Sequence, residues 1–376
     1  MHILIAPNAF KNSLTAYDAA QAIQKGLKLS TLQCTTTCFP IADGGDGTAS
    51  LIIQQLQGTT VRVKVHDPLG RLIHTSFGLI DNGRTAVIEM ADASGLRLLK
   101  QEELDPLSAT SYGTGEMIRM ALNMGVGRVI IAMGGSATVD GGTGILKALG
   151  ARFLNAAGHE LTNMPASLAD LDQVDTSGMD KRLSACEVIV LCDVDNMLLG
   201  PRGAAAVFGP QKGADAAAVS KLDAGLSRFN DVTLQKTGNN MAAVKYGGTA
   251  GGASAGAYAY LNAKLVNGID HFMELTGFNE ALNKSTLVIT GEGSIDEQTL
   301  QGKGPFGVAN SAKSKGIPVI GLAGKIPLES NEQLSQYFDV LLAIGNEPAD
   351  ISTALSRTEQ NLIRISKDIA DMIRIG

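Results

Sequence analysis

The chain has 376 residues, 44% of them hydrophobic, enough to bury the cores of two domains and too many for a disordered polypeptide. Its 31 basic and 37 acidic side chains leave a net charge of −6 without any basic run, which excludes the electrostatic footprint of a nucleic-acid binder and points to a small-molecule partner. No apolar stretch approaches the roughly 18 residues of a membrane span, and no signal-peptide core follows the first residues, so no membrane partner is expected and the expected location is cytoplasmic.

In chain order, residues 2–6 read as a strand and 7–13 as a loop. Ala19, Ala20, Ile23 and Leu27 then form the apolar stripe of a helix whose start is marked by the capping pattern of Thr15 and Asp18. A second unit follows, with strand 34–41, an acid-and-glycine loop at 42–48 and helix 50–56 stopped by Gly58. The period then changes to that of strands. Val61, Val63 and Val65 alternate, Asp67-Pro68-Leu69-Gly70 turns, 71–80 extends, and Asp81-Asn82-Gly83 turns into 85–90, which predicts an antiparallel meander. Residues 129–133 read as a strand feeding the glycine loop 134–144 and a helix over 145–149. A strand at 188–192, an amphipathic helix at 216–229 and a glycine-rich run at 247–253 before a helix at 257–265 complete the middle of the chain.

Strands at 287–290, 318–323 and 340–344, separated by helices, restore the alternation at the far end. With the two N-terminal strands they make five units, the number of a flavodoxin-like doubly wound sheet. The expected fold is therefore α/β with two α/β lobes. A discontinuous flavodoxin-like domain over 1–62 and 285–376 is interrupted by an inserted α/β domain, 63–284, that contains the antiparallel meander.

The loop 134–144, Gly-Gly-Ser-Ala-Thr-Val-Asp-Gly-Gly-Thr-Gly, sits between a strand and a helix, where glycines permit close approach and helix-opening amides suit a phosphate. Gly134, Gly135, Ser136, Thr138 and Asp140 are its candidate ligands, although helix capping also accounts for the last three. Three further loops place acids at strand ends, the first and third together with glycines: Asp43, Gly44 and Gly45 in the first, Asp193 and Asp195 in the second, and Gly291, Glu292, Gly293 and Asp296 in the third. Asp43 and Asp46 could orient a substrate hydroxyl or accept its proton. Asp193 and Asp195, joined by Glu292 and Asp296, are the candidate metal ligands, since magnesium takes one or two carboxylates with phosphate oxygens completing its shell. Asx-type hydrogen bonding at a strand end is the other explanation for the first pair.

Lys11, Lys212 and Lys303 stand beside glycines or a helix start and are the candidate cations for phosphoryl transfer, with Ser13 in the loop of Lys11. Gly251 and Gly252 suggest a second anion cradle or tight helix packing. Neither Gly-x-x-x-x-Gly-Lys-Ser/Thr nor Gly-x-Gly-x-x-Gly occurs, so a P-loop kinase and the standard dinucleotide fingerprint are excluded. Cys34, Cys38, Cys186 and Cys192 lack zinc spacing and read as buried free thiols.

Together these loops resemble the bacterial-type glycerate kinase family, of the glycerate 2-kinase kind. The likeness runs through residues 6–16, 42–48, 111–116, 134–144, 192–196, 207–214 and 290–299. It implies ATP-dependent phosphorylation of D-glycerate with Mg2+ in a protein of two α/β lobes, with 2-phosphoglycerate the expected product and 3-phosphoglycerate the alternative. A noncatalytic nucleotide-binding protein is the competing reading; a nicotinamide-dependent oxidoreductase is opposed by the missing fingerprint. The chain departs from the family pattern at Asn8-Ala9, where Asp-Ser is usual, at Asp46 in place of Glu, and at Val139 in place of Asn.

Overall fold

The computed structural model describes residues 1–329 and 331–375. In chain order its strands are β1 (His2–Ile5), β2 (Thr35–Cys38), β3 (Thr59–His66), β4 (Leu72–Ile80), β5 (Thr85–Glu89), β6 (Arg128–Ala132), β7 (Arg152–Leu154), β8 (Gln173–Asp175), β9 (Glu187–Cys192), β10 (Lys264–Asn267), β11 (Leu287–Ser294), β12 (Val319–Lys325) and β13 (Val340–Ala343). The chain divides into two compact units, Met1–Asp43 with Ile269–Gly376, and Gly44–Gly268.

The first unit carries a five-stranded sheet in the order β13-β12-β11-β1-β2, every pair parallel. This is the flavodoxin-like order expected from five alternating units. Parallel strands covered on both faces need continuous apolar runs, and the inner strands supply them: Ile3, Leu4 and Ile5 on β1, Leu287, Val288 and Ile289 on β11, and Val319, Ile320 and Leu322 on β12 are buried. On one face Ile3, Ile5, Leu287, Ile289 and Leu322 pack with Ala19, Ala20, Ile23 and Leu27 of helix Ala16–Lys28 and with Leu362 and Ile369 of helix Thr358–Ile375. The first of these helices starts where expected, because the Thr15 hydroxyl accepts the Asp18 amide at 3.1 Å.

The second unit is built on a six-stranded sheet, β10-β9-β6-β5-β4-β3. Strands β3, β4 and β5 form the meander and are antiparallel; β5, β6, β9 and β10 are parallel. A separate antiparallel pair, β7 with β8, lies outside that sheet. The alternation of Val61, Val63 and Val65 turns those side chains toward the core, Val65 fully buried and the other two partly.

The unit boundaries lie at 43/44 and 268/269, where the sequence suggested 62/63 and 284/285. Packing explains the first difference. Ile53, on helix Thr48–Gln55, lies against Gly78 of β4 so closely that a side chain at Gly78 would meet its Cδ1 at 2.2 Å, which places that helix with the meander. At the second boundary β10 pairs with β9 through Asn267, after which Ile269 packs against Gly307 in the first unit. The segment 291–294, expected as a loop, instead continues β11, with Glu292 opposite Ala323 and Ser294 opposite Lys325.

Candidate active site

In the first unit β1 and β11 are neighbours at the point where strand order reverses, the place where open α/β sheets bind ligands beyond their carboxyl ends. Asp43, following β2, accepts hydrogen bonds on Oδ2 from Asn8 Nδ2 at 2.9 Å and from the Gly304 amide at 3.1 Å. Gly304 is the first residue of helix Gly304–Lys313, so a helix N-terminus faces this carboxylate and favours its charge. Asn8 is fixed in turn: its amide donates to the Gly291 carbonyl at 2.8 Å, and its Oδ1 accepts from Ala9 at the same distance.

Glu292, on β11, is 9% exposed and accepts from the Thr299 hydroxyl at 3.1 Å. Burial pushes its carboxyl up to about 7; Lys303 opposes the rise, Asp43 adds to it, Thr299 opposes it and Asp296 adds to it. Asp43, Glu292, Asp296 and Lys303 therefore share one electrostatic environment. The half-buried Lys303 occupies the N-cap of helix Gly304–Lys313. Lys11 is exposed, and its backbone nitrogen lies 3.7 Å from where a Gly293 side chain would begin. Gly291 packs against the Leu322 carbonyl, 2.2 Å from an added Cβ, so β-sheet contact accounts for that glycine. The Ser13 hydroxyl donates to the Leu355 carbonyl at 2.6 Å, a tie between loop and helix Ile351–Ser356 in place of the expected ligand contact.

In the second unit the loops after β5, β6 and β9 meet. Gly134 donates its amide to the Gly44 carbonyl at 3.0 Å, and an added Cβ on Gly134 would stand 2.4 Å from the Gly45 Cα. The two glycine loops are thus in backbone contact, and only glycine fits at 134. Gly135 lies beside the carboxylate of Asp46, which pairs with Arg97 at 2.7 Å; the other arm of Arg97 holds Asp92.

Lys212 is 2% exposed and donates to the Ser136 hydroxyl at 2.9 Å and the Thr138 carbonyl at 2.7 Å. Burial pushes its amine down to about 7, against the pull of Asp140 and Asp193. The Thr138 and Thr143 hydroxyls are buried without a hydrogen-bond partner.

The helix after this loop, Thr143–Ala148, does not offer its opening amides to a phosphate as the sequence suggested. Asp140 accepts Gly142 at 2.9 Å on Oδ1 and Gly144 at 3.1 Å on Oδ2, while the Ser111 hydroxyl accepts Ile145 at 3.0 Å. Asp140 also accepts the Ser111 amide and hydroxyl, at 2.8 and 2.7 Å, and is 1% exposed. It is a buried cap, because a carboxylate with four donors around it has no need of an external partner.

Gly251 and Gly252 likewise serve packing. Gly251, at φ +65°, would place a Cβ 2.0 Å from the Thr138 carbonyl, and its own carbonyl accepts from Gly141 at 3.0 Å. Gly252, at φ +86°, caps helix Ala253–Leu261 against Leu198. Asp193, at the end of β9, is half-buried and Asp195 is exposed. Among the described residues no three His, Cys, Asp or Glu side chains gather to hold a metal ion.

Sequence reasoning assigned no role to Asn8, Ser111, Glu89, Asp92 or Arg97; Asp46, a candidate for the substrate hydroxyl, has its carboxylate paired with Arg97. Glu89 had a readable signal, a lone carboxylate closing the apolar run 85–90, whereas Arg97 had none because its partners lie 51 and 5 residues away.

The doubly wound sheet of the first unit, with Asp43, Glu292, Asp296 and Lys303 sharing one environment at the carboxyl ends of its strands, defines an α/β protein with a charged site of the kind enzymes use. Among the described residues no helix is long and apolar enough to cross a membrane. The sequence model of the glycerate kinase family matches residues 3–374. The chain is 43% identical to the glycerate kinase of Bacillus subtilis (strain 168) over 100% of its own length and 98% of that protein. It is 42% identical to the glycerate 2-kinase of Escherichia coli (strain K12), over 100% and 99% respectively. A solved structure from Salmonella typhimurium LT2, described as a candidate glycerate kinase 2, superposes with a TM-score of 0.85 at 40% identity, covering 100% of this chain and 99% of that one. The chain belongs to the glycerate kinase family and is a kinase.

Proposed function

We propose that this chain transfers the γ-phosphoryl group of ATP to D-glycerate and that the product is 2-phosphoglycerate. The observation that carries the reading is the full-length 42% identity to a glycerate 2-kinase. The site chemistry supports it, because phosphoryl transfer asks for a positioned acceptor hydroxyl and for cations on the transferring group.

Asp43 is the group that orients the glycerate hydroxyl and takes its proton. Its ties to Asn8 and Gly304 hold the carboxylate in place. Lys303 and Lys11 supply positive charge in the first unit; in the second, Lys212 ties the Ser136 hydroxyl to the Thr138 carbonyl and so fixes the 134–138 segment. Gly45 and Gly135, beside the buried contact of Gly44 with Gly134 and the buried Ser136, give the phosphates a backbone surface with few obstructing side chains. Thr138, whose hydroxyl lacks a partner, lies beneath that surface.

The donor set fits magnesium: hard carboxylate oxygens occur in pairs, Asp193 with Asp195 and Glu292 with Asp296, which is the number the ion uses when phosphates complete its shell. Bound there, magnesium would neutralise phosphate charge.

The test is a coupled assay of the purified chain with ATP, magnesium and D-glycerate, the product identified by phosphorus NMR. Turnover with a 2-phosphoglycerate resonance is expected. No turnover above background overturns the reading, and a 3-phosphoglycerate resonance overturns its regiochemistry.

A further inference from the structure

Glu89 ends β5, is 2% exposed, and has no part in the reaction outlined above. Each of its carboxyl oxygens accepts one amide from the start of helix Thr48–Gln55: Oε1 from Gly47, and Oε2 from Ala49 at 2.9 Å. Those amides follow directly on the segment Gly44-Gly45-Asp46. That segment is the one whose Gly44 carbonyl and Gly45 backbone meet Gly134, and whose Asp46 lies beside Gly135. One buried carboxyl on a rigid strand therefore holds the end of the loop that mates with the second glycine loop. Helix propensity does not account for this arrangement, since Gly47, at φ +89°, brings no capping side chain of its own. The cap has been moved to a strand 40 residues away.

We propose that Glu89 is a positioning residue for phosphoryl transfer: its ionised carboxylate, by holding the Gly47 and Ala49 amides together, keeps Gly44-Gly45-Asp46 seated against Gly134 and Gly135. This rests on the kinase reading above. A carboxylate accepts two amides well, while a carboxylic acid presents one hydroxyl that must itself find an acceptor. Burial pushes Glu89 up to about 8, the Gly47 and Ala49 amides oppose that rise, and Asp92 and Asp46 add to it.

The charged groups facing Glu89 are thus Asp46 and Asp92, with Arg97 paired to both. Glu89 lines a cavity of about 350 Å³ together with Asp92, and the remaining polar walls, such as Ser50, Gln54, Thr60 and Ser76, are neutral. Solvent can therefore deliver and remove the proton. Ionisation completes both amide bonds, so the loop tightens as pH rises through about 8.

The experiment compares the full chain with Glu89→Gln and Glu89→Asp. Turnover with ATP, magnesium and D-glycerate is measured between about pH 6.5 and 9.5, where the Glu89 proton is lost. Amide exchange of residues 44–49 in the ligand-free protein is followed over the same range, corrected for intrinsic base catalysis. In the parent chain kcat and the protection of Gly47 and Ala49 should rise together. Glu89→Gln should lower kcat roughly tenfold to a hundredfold, the scale of a small displacement of reacting groups, with KM values changed less than about threefold and the pH rise abolished. Glu89→Asp, which keeps an ionisable group, should retain a pH rise at reduced kcat.

An unchanged kcat and pH profile in Glu89→Gln would overturn the proposal. So would protection of Gly47 and Ala49 in the parent chain that does not respond to pH, an outcome that stands even if the variants fail to fold. If the parent chain shows no turnover with D-glycerate, the kinase reading fails by itself, and the exchange measurement decides the anchoring role of Glu89.

Discussion

Asp43 joins three segments that are remote in the chain: it follows β2, takes a side-chain amide from the loop after β1, and faces the first amide of a helix 261 residues further on. Two fixed donors and a helix N-terminus hold the carboxylate in one orientation, the geometric condition a proton acceptor needs. Asp43→Asn preserves shape and loses basicity. Turnover should fall by about a hundredfold to ten-thousandfold, the usual worth of general-base assistance, while ATP affinity measured by calorimetry is retained. If ATP affinity collapses and glycerate affinity holds, Asp43 belongs to nucleotide binding.

At the scale of elements, the loop 134–144 is stiffened from below by its own carboxylate. Asp140 accepts from Gly142, Gly144 and Ser111 and so replaces an exposed cap with a buried one. Asp140→Asn would turn an amide NH2 toward one of these donors. The expected cost is about 1–3 kcal/mol, the penalty of a buried donor without an acceptor, and urea denaturation reads it as a lowered midpoint. A midpoint within error of the parent chain would show that the cap contributes nothing to stability. The same packing explains why glycines are dense here: where the Gly251 and Thr138 backbones approach each other there is no room for a Cβ, and the left-handed φ excludes most alternatives.

Across the whole molecule each unit buries ionisable groups whose protonation is linked to folding. Glu292 in the first unit is raised from 4.5 to about 7, so the stability it contributes is fully present below its unfolded value and is lost as pH rises through about 7. Glu292→Gln removes this dependence. The stability advantage of the variant over the parent, read from exchange of β11 amides in the ligand-free protein, should grow from about pH 5 to about pH 7 and level off above it. A difference that stays constant across that window would refute the assignment. Lys212 in the second unit behaves oppositely. Lowered from 10.5 to about 7, it withdraws stability as pH falls through that interval.

The doubly wound sheet was legible in the sequence because parallel strands covered on both faces must be continuous apolar runs, and β1, β11 and β12 are such runs. The meander was legible because a strand with one solvated face alternates, as Val61, Val63 and Val65 do. Asp43, Glu292, Lys212 and Lys303 could be picked out as candidates because each stands beside a glycine. What each does was decided only by tertiary contact.

Helix Thr48–Gln55 belongs to the second unit because Ile53 fills the space above Gly78, a match between residues 25 apart that no local pattern records. Gly251 and Asp140 proved to be packing and capping residues for the same reason: whether a glycine or a carboxylate faces a ligand or the protein depends on which backbone groups arrive beside it. Glu89 marks the limit most clearly. Its position at a strand end was visible, but its partners are amides, which every residue except proline carries, so nothing in the sequence could name them.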